Sequence, residues 1–148
     1  MALAKILIIE DSELLHRMYD LILLRYRREG TVVLHAYNGR DGLRMMAEHP
    51  DTALVLLDIN MPIMSGLEFL QYAKKENILG DVPVIIISTE GKAEDTLRGL
   101  ESGARAYVTK PFLPNDLYKM IEKVVMHKIP PALGDENNKM RSKTPFGN

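Results

Sequence analysis

Asp58 closes an apolar run, Leu54-Val55-Leu56-Leu57, and Ile59-Asn60-Met61-Pro62 follows it, the proline ending any regular ladder. An acidic pair, Glu10-Asp11, closes another such run, Ile6-Leu7-Ile8-Ile9. Unbroken runs of this kind read as strands covered on both faces, the habit of parallel sheets. The carboxylates then stand at the carboxyl ends of strands, where open α/β folds form their ligand crevices. Carboxylates gathered within a few ångströms repel one another and require a cation or raised pKa values. Oxygen donors alone suit a hard ion, and Mg²⁺ typically takes one or two carboxylates while keeping several waters. Asp58, at its strand tip, is placed to act as a carboxylate nucleophile that forms an acyl phosphate. Ser88, after the apolar run at 83–87, offers a hydroxyl to a phosphoryl oxygen, and Lys110 an ammonium from the opposite side. Each residue alone reads as a helix cap or a surface charge. Their joint position at the ends of strands 1, 3, 4 and 5 points to a phosphoryl site.

The elements that hold these residues follow from periodicity. The strand before Glu10 leads into a helix on which Leu14, Met18, Leu21 and Ile22 share one face, capped by Asp11 or Ser12 and closed by Arg25, Arg27, Arg28 and Gly30. A strand at 31–36 precedes a helix capped by Asn38 that carries Leu43, Met46 and Ala47. The Asp58 strand begins near Ala53, and Ser65 with Glu68 forms a capping box for a helix burying Leu67, Leu70 and Ala73. After strand 4 comes a weak helix with Ala93, Leu97 and Leu100 as its stripe, loosened by Gly91 and Gly99. A fifth strand at 104–108 leads to a helix opened by Pro114 and carrying Leu117, Ile121, Val124 and Val125. The pattern is (βα)5. Strands 1, 3 and 4 are apolar throughout and belong at the centre; strands 2 and 5, with His35 and Arg105, belong at the edges. Right-handed crossovers then give a doubly wound parallel sheet of order 2-1-3-4-5, with Glu10, Asp11 and Asp58 at its switch point. Met18 and Met46 read as core packing, and His16, His35, His49 and His127 show no ligand spacing.

A chain of 148 residues suits one domain, here 1–128, followed by a tail at 129–148 whose prolines, glycines and asparagines predict flexibility. A net charge of −1 provides no field for nucleic acid or an anionic membrane. There are no cysteines, no apolar run approaches a membrane span, and the first residues carry no signal-peptide pattern. A cytoplasmic protein is expected.

Over residues 4–127 the sequence resembles the receiver domain of two-component response regulators. The resemblance rests on Glu10-Asp11-Ser12, Leu57-Asp58-Ile59-Asn60-Met61-Pro62, Pro83 to Ser88, Gly103-Ala104, Tyr107 and Lys110-Pro111-Phe112. It implies a flavodoxin-like receiver fold in which Asp58 accepts a phosphoryl group, with Mg²⁺ required, from a phosphohistidine on a sensor kinase or phosphotransfer protein. It implies that Asp11 and Asp58 hold the metal by side chains, Asn60 by its carbonyl and Glu10 through water. Ser88 and Lys110 would hold phosphoryl oxygens, and Tyr107 would turn with phosphorylation so that the fourth helix, fifth strand and fifth helix present a face to a downstream protein. Asn60 and Glu90 match positions that tune self-dephosphorylation, and the Lys110–Pro111 bond is expected to be cis. Glu10 stands where the family more often has Asp, one methylene shorter. Arg105-Ala106 stands where regulators that dimerise through this face carry acidic residues, so that dimer is not expected. The likeness is to the stand-alone, chemotaxis-type receivers, signalling proteins rather than enzymes acting on a separate substrate. A haloacid-dehalogenase reading would need a second Asp where Asn60 stands, and a dinucleotide fold would need a Gly-rich loop where Glu10-Asp11-Ser12 stands. An interaction module without phosphorylation would not need the complete site, and 129–148 is too short for a helix-turn-helix unit.

Overall fold

The apolar runs form one parallel sheet: β1 Lys5–Ile9, β2 Val32–Ala36, β3 Thr52–Leu57, β4 Val84–Thr89 and β5 Ala106–Lys110, in the order β2-β1-β3-β4-β5. The computed structural model describes residues 3–89 and 93–126. Helices α1 Glu13–Ile22, α2 Leu24–Arg27, α3 Gly39–Glu48, α4 Gly66–Lys75, α5 Ala93–Glu101 and α6 Pro114–Met126 cover both faces. Alternation along the strands splits the interior into two cores. Ile6, Ile8, Leu54, Leu56, Ile85 and Ile87 meet Tyr19, Leu23, Leu117 and Ile121 from the α1, α2 and α6 side. Leu7, Ile9, Val55, Leu57, Val84 and Ile86 meet Met46, Phe69, Leu70 and Leu100 from α3, α4 and α5. The expected sheet order and edges stand. Ser12, Asn38 and the Ser65–Glu68 capping box also cap the expected helices.

Two helices are rotated from the expected face. On α1, Leu14 is 75% and Leu21 74% exposed, and Met18 is not core packing either. The buried positions are His16 and Tyr19, continued by Leu23 and Tyr26, a regular 3-4-3 spacing. An imidazole and a phenol ring fill this face, and His16 has a hydrogen-bonded partner inside, so polarity did not bar burial. The helix also breaks at Leu23, leaving α2 as a single turn in place of one continuous helix. On α5, Leu97 is 52% exposed and Ala93 faces water, whereas Thr96, Gly99 and Leu100 are buried. On α3, Ala47 is exposed while Gly39 and Gly42 are buried beside Met46. β5 lies two residues later than expected, because Ser88 pairs with Thr109 and Thr89 with Lys110. Lys110 is thus the last residue of the strand. Gly91, Glu90, His127 and the 129–148 segment lie outside the described residues.

Candidate functional site

β1 and β3 are neighbours with Ile9 opposite Leu57, so Glu10 and Asp58 leave the sheet side by side. The Asp58 amide donates to the Ile9 carbonyl at 2.9 Å and fixes that exit. One carboxylate oxygen from each of Glu10, Asp11 and Asp58 lies within 4.8 Å of the others. From β5, the Lys110 ammonium donates to Glu10 Oε1 at 2.9 Å and to Asp58 Oδ1 at 3.4 Å. The Glu10 side chain is buried, that of Asp58 is largely so, and Asp11 faces water. Burial pushes the Glu10 carboxyl above its usual range; the Lys110 hydrogen bond opposes this and the Asp58 charge adds to it. Burial likewise raises Asp58, against the pull of Lys110 and the Ile59 amide.

The loop after β3 is held close by α4. A Cβ on Gly66 would lie 2.1 Å from the Asp58 carbonyl oxygen, so only glycine lets the helix start against the loop. The Gly66 amide donates to the Ile59 carbonyl at 2.8 Å. Asn60 follows on the exposed side of this loop. The donor set at the cluster is oxygen alone, part buried and part open, with carboxyls whose ionised form a cation would favour. These residues fit a hard divalent ion such as Mg²⁺.

Not every expected site residue touches this cluster. Ser88, at the end of β4, is buried, and its hydroxyl pairs with that of Thr96 on α5 at 3.2 Å. Tyr107, half-buried on β5 opposite Ile86, packs with the α3–α5 core. The Lys110–Pro111 peptide is cis, as the resemblance implies. Thr96 was not legible as a site residue, because nothing in its spacing marks it. A histidine pair was missed as well. His16 Nε2 donates to the Glu10 carbonyl at 2.6 Å, His16 Nδ1 lies 2.6 Å from His35 Nδ1, and His35 Nε2 donates to Asp20 Oδ1 at 3.0 Å. The two rings are distant in sequence and meet only because α1 crosses over β1 and β2, with its His16 face inward.

The family model for the response regulator receiver domain matches residues 6–122. The chain belongs to that family. It is a receiver domain of two-component signalling, a phosphorylation-based signalling module and not a classical enzyme. It is 35% identical over 137 residues to the phosphate regulon transcriptional regulatory protein PhoB of Shigella flexneri, covering 93% of this chain and 58% of PhoB. The chain thus spans little more than half the length of that relative. It is 31% identical to the chemotaxis protein CheY1 of Helicobacter pylori, covering 82% of this chain and 96% of CheY1. Among solved structures, a response regulator receiver domain protein from Clostridium thermocellum superposes with a TM-score of 0.74 at 31% identity, covering 85% of this chain and 97% of that one. Among the described residues, no helix of this receiver is long and apolar enough to cross a membrane.

Proposed function

We propose that Asp58 of this receiver is the phosphoacceptor. The observation that carries the reading is the Lys110 ammonium set between Glu10 and Asp58, beside a carboxylate cluster at the sheet's switch point. A carboxylate oxygen of Asp58 would attack the phosphorus of a phosphohistidine on a sensor kinase or phosphotransfer protein. The new O–P bond forms as the N–P bond breaks, and the departing imidazole keeps the electron pair and takes up a proton. Glu10, Asp11, Asp58 and the Asn60 carbonyl would hold Mg²⁺, which when bound supplies charge neutralisation at the phosphoryl oxygens. Lys110 balances charge from the other side, and Ser88 donates its hydroxyl to a phosphoryl oxygen. The added charge of about −1.5 to −2 and its acceptor oxygens would draw Ser88 inward, let Tyr107 turn, and remodel the face of α5, β5 and α6 for a downstream protein.

Residues 1–128 form the receiver in this reading and 129–148 a tail, in a protein acting in the cytoplasm without direct contact to nucleic acid or membrane. Asn60 and Glu90 are assigned to orienting the water that hydrolyses the acyl phosphate. Replacing both with larger apolar residues should slow the decay of phosphorylated protein; an unchanged decay rate would remove that assignment. For the acceptor itself, the chain is incubated with acetyl phosphate, with and without Mg²⁺, and its intact mass is measured. A Mg²⁺-dependent gain of one phosphoryl group, absent in Asp58→Ala, is expected. No gain in the unmutated chain, or an equal gain in Asp58→Ala, would overturn the proposal.

A further inference from the structure

The Ser88 hydroxyl, assigned above to a phosphoryl oxygen, is held elsewhere in this structure. It lies 3.2 Å from the Thr96 hydroxyl, and the pair is sealed from water, Ser88 being 3% and Thr96 5% exposed. That distance already exceeds the usual O–H···O range, so a movement of the Ser88 oxygen by about 1 Å toward Asp58 breaks the contact. The contact also joins two elements: Ser88 ends β4 and Thr96 sits in the second turn of α5. Three residues on, the backbone of Gly99 comes so near β4 that a Cβ there would be 2.4 Å from Ile86 Cδ1. The helix therefore rests directly on the strand whose end carries Ser88.

We infer that Thr96 is a positioning residue that holds Ser88 away from the acceptor and sets the balance between the two states of this receiver. The inference rests on the phosphoacceptor reading and extends it to regulation of the same site. In the resting arrangement one buried hydroxyl donates to the other across a long contact. In the switched arrangement Ser88 turns to the phosphoryl group and Thr96 loses that partner, so the pair favours the resting state only. A phosphoryl group shifts the equilibrium by its differential affinity, and the Ser88–Thr96 bond is what it must overcome. Valine at position 96 keeps nearly the same shape but has no hydroxyl. It leaves Ser88 unpaired at rest and has nothing of its own to leave unpaired after switching. Both effects push the same way.

The test uses beryllofluoride with Mg²⁺ as a phosphoryl mimic on the full chain. Its dissociation constant is measured, together with the amide chemical shifts of α5 in the free protein. Thr96→Val should bind beryllofluoride more tightly, by up to about fivefold, the effect of losing one hydrogen bond from the resting state. Its α5 shifts without beryllofluoride should move part-way toward those of the bound wild type. Thr96→Ser, which keeps the hydroxyl, should match the wild type, and Thr96→Val should have no effect on binding when combined with Ser88→Ala. An unchanged dissociation constant in Thr96→Val would overturn the inference. So would Thr96→Ser behaving like Thr96→Val, or the effect surviving without the Ser88 hydroxyl. If the unmutated chain failed to bind beryllofluoride at all, the phosphoacceptor reading itself would fall, and this inference with it.

Discussion

Lys110 stabilises two carboxylates that burial works against, and that contest has a measurable pH dependence. A carboxyl whose native pKa is raised binds its proton more tightly folded than unfolded. Its ionisation therefore costs stability at neutral pH, and stability is regained as pH falls through the raised value. Asp58→Asn removes one of these charges without changing shape. After allowance for water at the open side of the cleft, the gain should be about 1 kcal/mol at pH 7, worth a few degrees in Tm. The difference between mutant and wild type should shrink as pH falls and wild-type Asp58 takes up its proton; thermal melts from pH 7 into the acid range check it. A gain that did not vary with pH would place its origin outside this cluster. Mg²⁺ should act in the same sense. At 100 times its dissociation constant it should stabilise the wild type by about 2.7 kcal/mol and Asp58→Asn by much less.

At the scale of elements, the rotation of α1 separates two kinds of leucine that look alike in sequence. Leu14 and Leu21 project into water, while Leu23 is fully buried. Leu14→Ala and Leu21→Ala should therefore each change unfolding free energy by less than about 0.5 kcal/mol. Leu23→Ala should cost roughly 2–5 kcal/mol, because it opens a cavity between the helix and the sheet. Urea denaturation of the three variants decides between this face and the one that apolar spacing alone suggests. The central strands were legible in the sequence because a strand buried on both faces needs apolar residues in succession, as β1, β3 and β4 have; the similar run Leu21-Ile22-Leu23-Leu24 falls at the α1–α2 break instead. Capping was legible for a similar reason, since Ser12, Asn38 and Ser65 answer a local demand of the helix end. The faces of α1 and α5 were not, because each buries a polar side chain whose partner lies on another element: His16 on the Glu10 carbonyl and Thr96 on Ser88. Apolar periodicity cannot see such pairs. The proposed acceptor site fell between these cases. Its position at the strand ends was readable from the types of Glu10, Asp11, Asp58 and Lys110, but the resting partner of Ser88 was not.

At the scale of the molecule, the sheet divides what a phosphoryl group can reach. Glu10 and Asp58 leave from the central strands β1 and β3, and Lys110 from the edge strand β5. Ser88 and Tyr107 alternate onto the same face of the sheet as Val84 and Ile86, the face covered by α3, α4 and α5. The proposed movement of Ser88 would thus reach α5 and the β5 edge first. The opposite edge is β2, which pairs with β1 and meets the site through the Glu10 amide on the Ala36 carbonyl and through His35, whose ring lies against His16 on the Glu10 carbonyl. The α5 side holds the Ser88–Thr96 pair, the proposed switch contact, and the half-buried Tyr107. Beryllofluoride with Mg²⁺ should therefore shift amide resonances of α5, β5 and the start of α6, and leave β2 and α2 close to their free values. Ser88→Ala should still bind the mimic at Asp58 but lose most of the shifts at Tyr107 and α5. Shifts confined to the residues around Asp58, or equal in size at β2 and β5, would show that the fold does not channel the signal to the β5 edge.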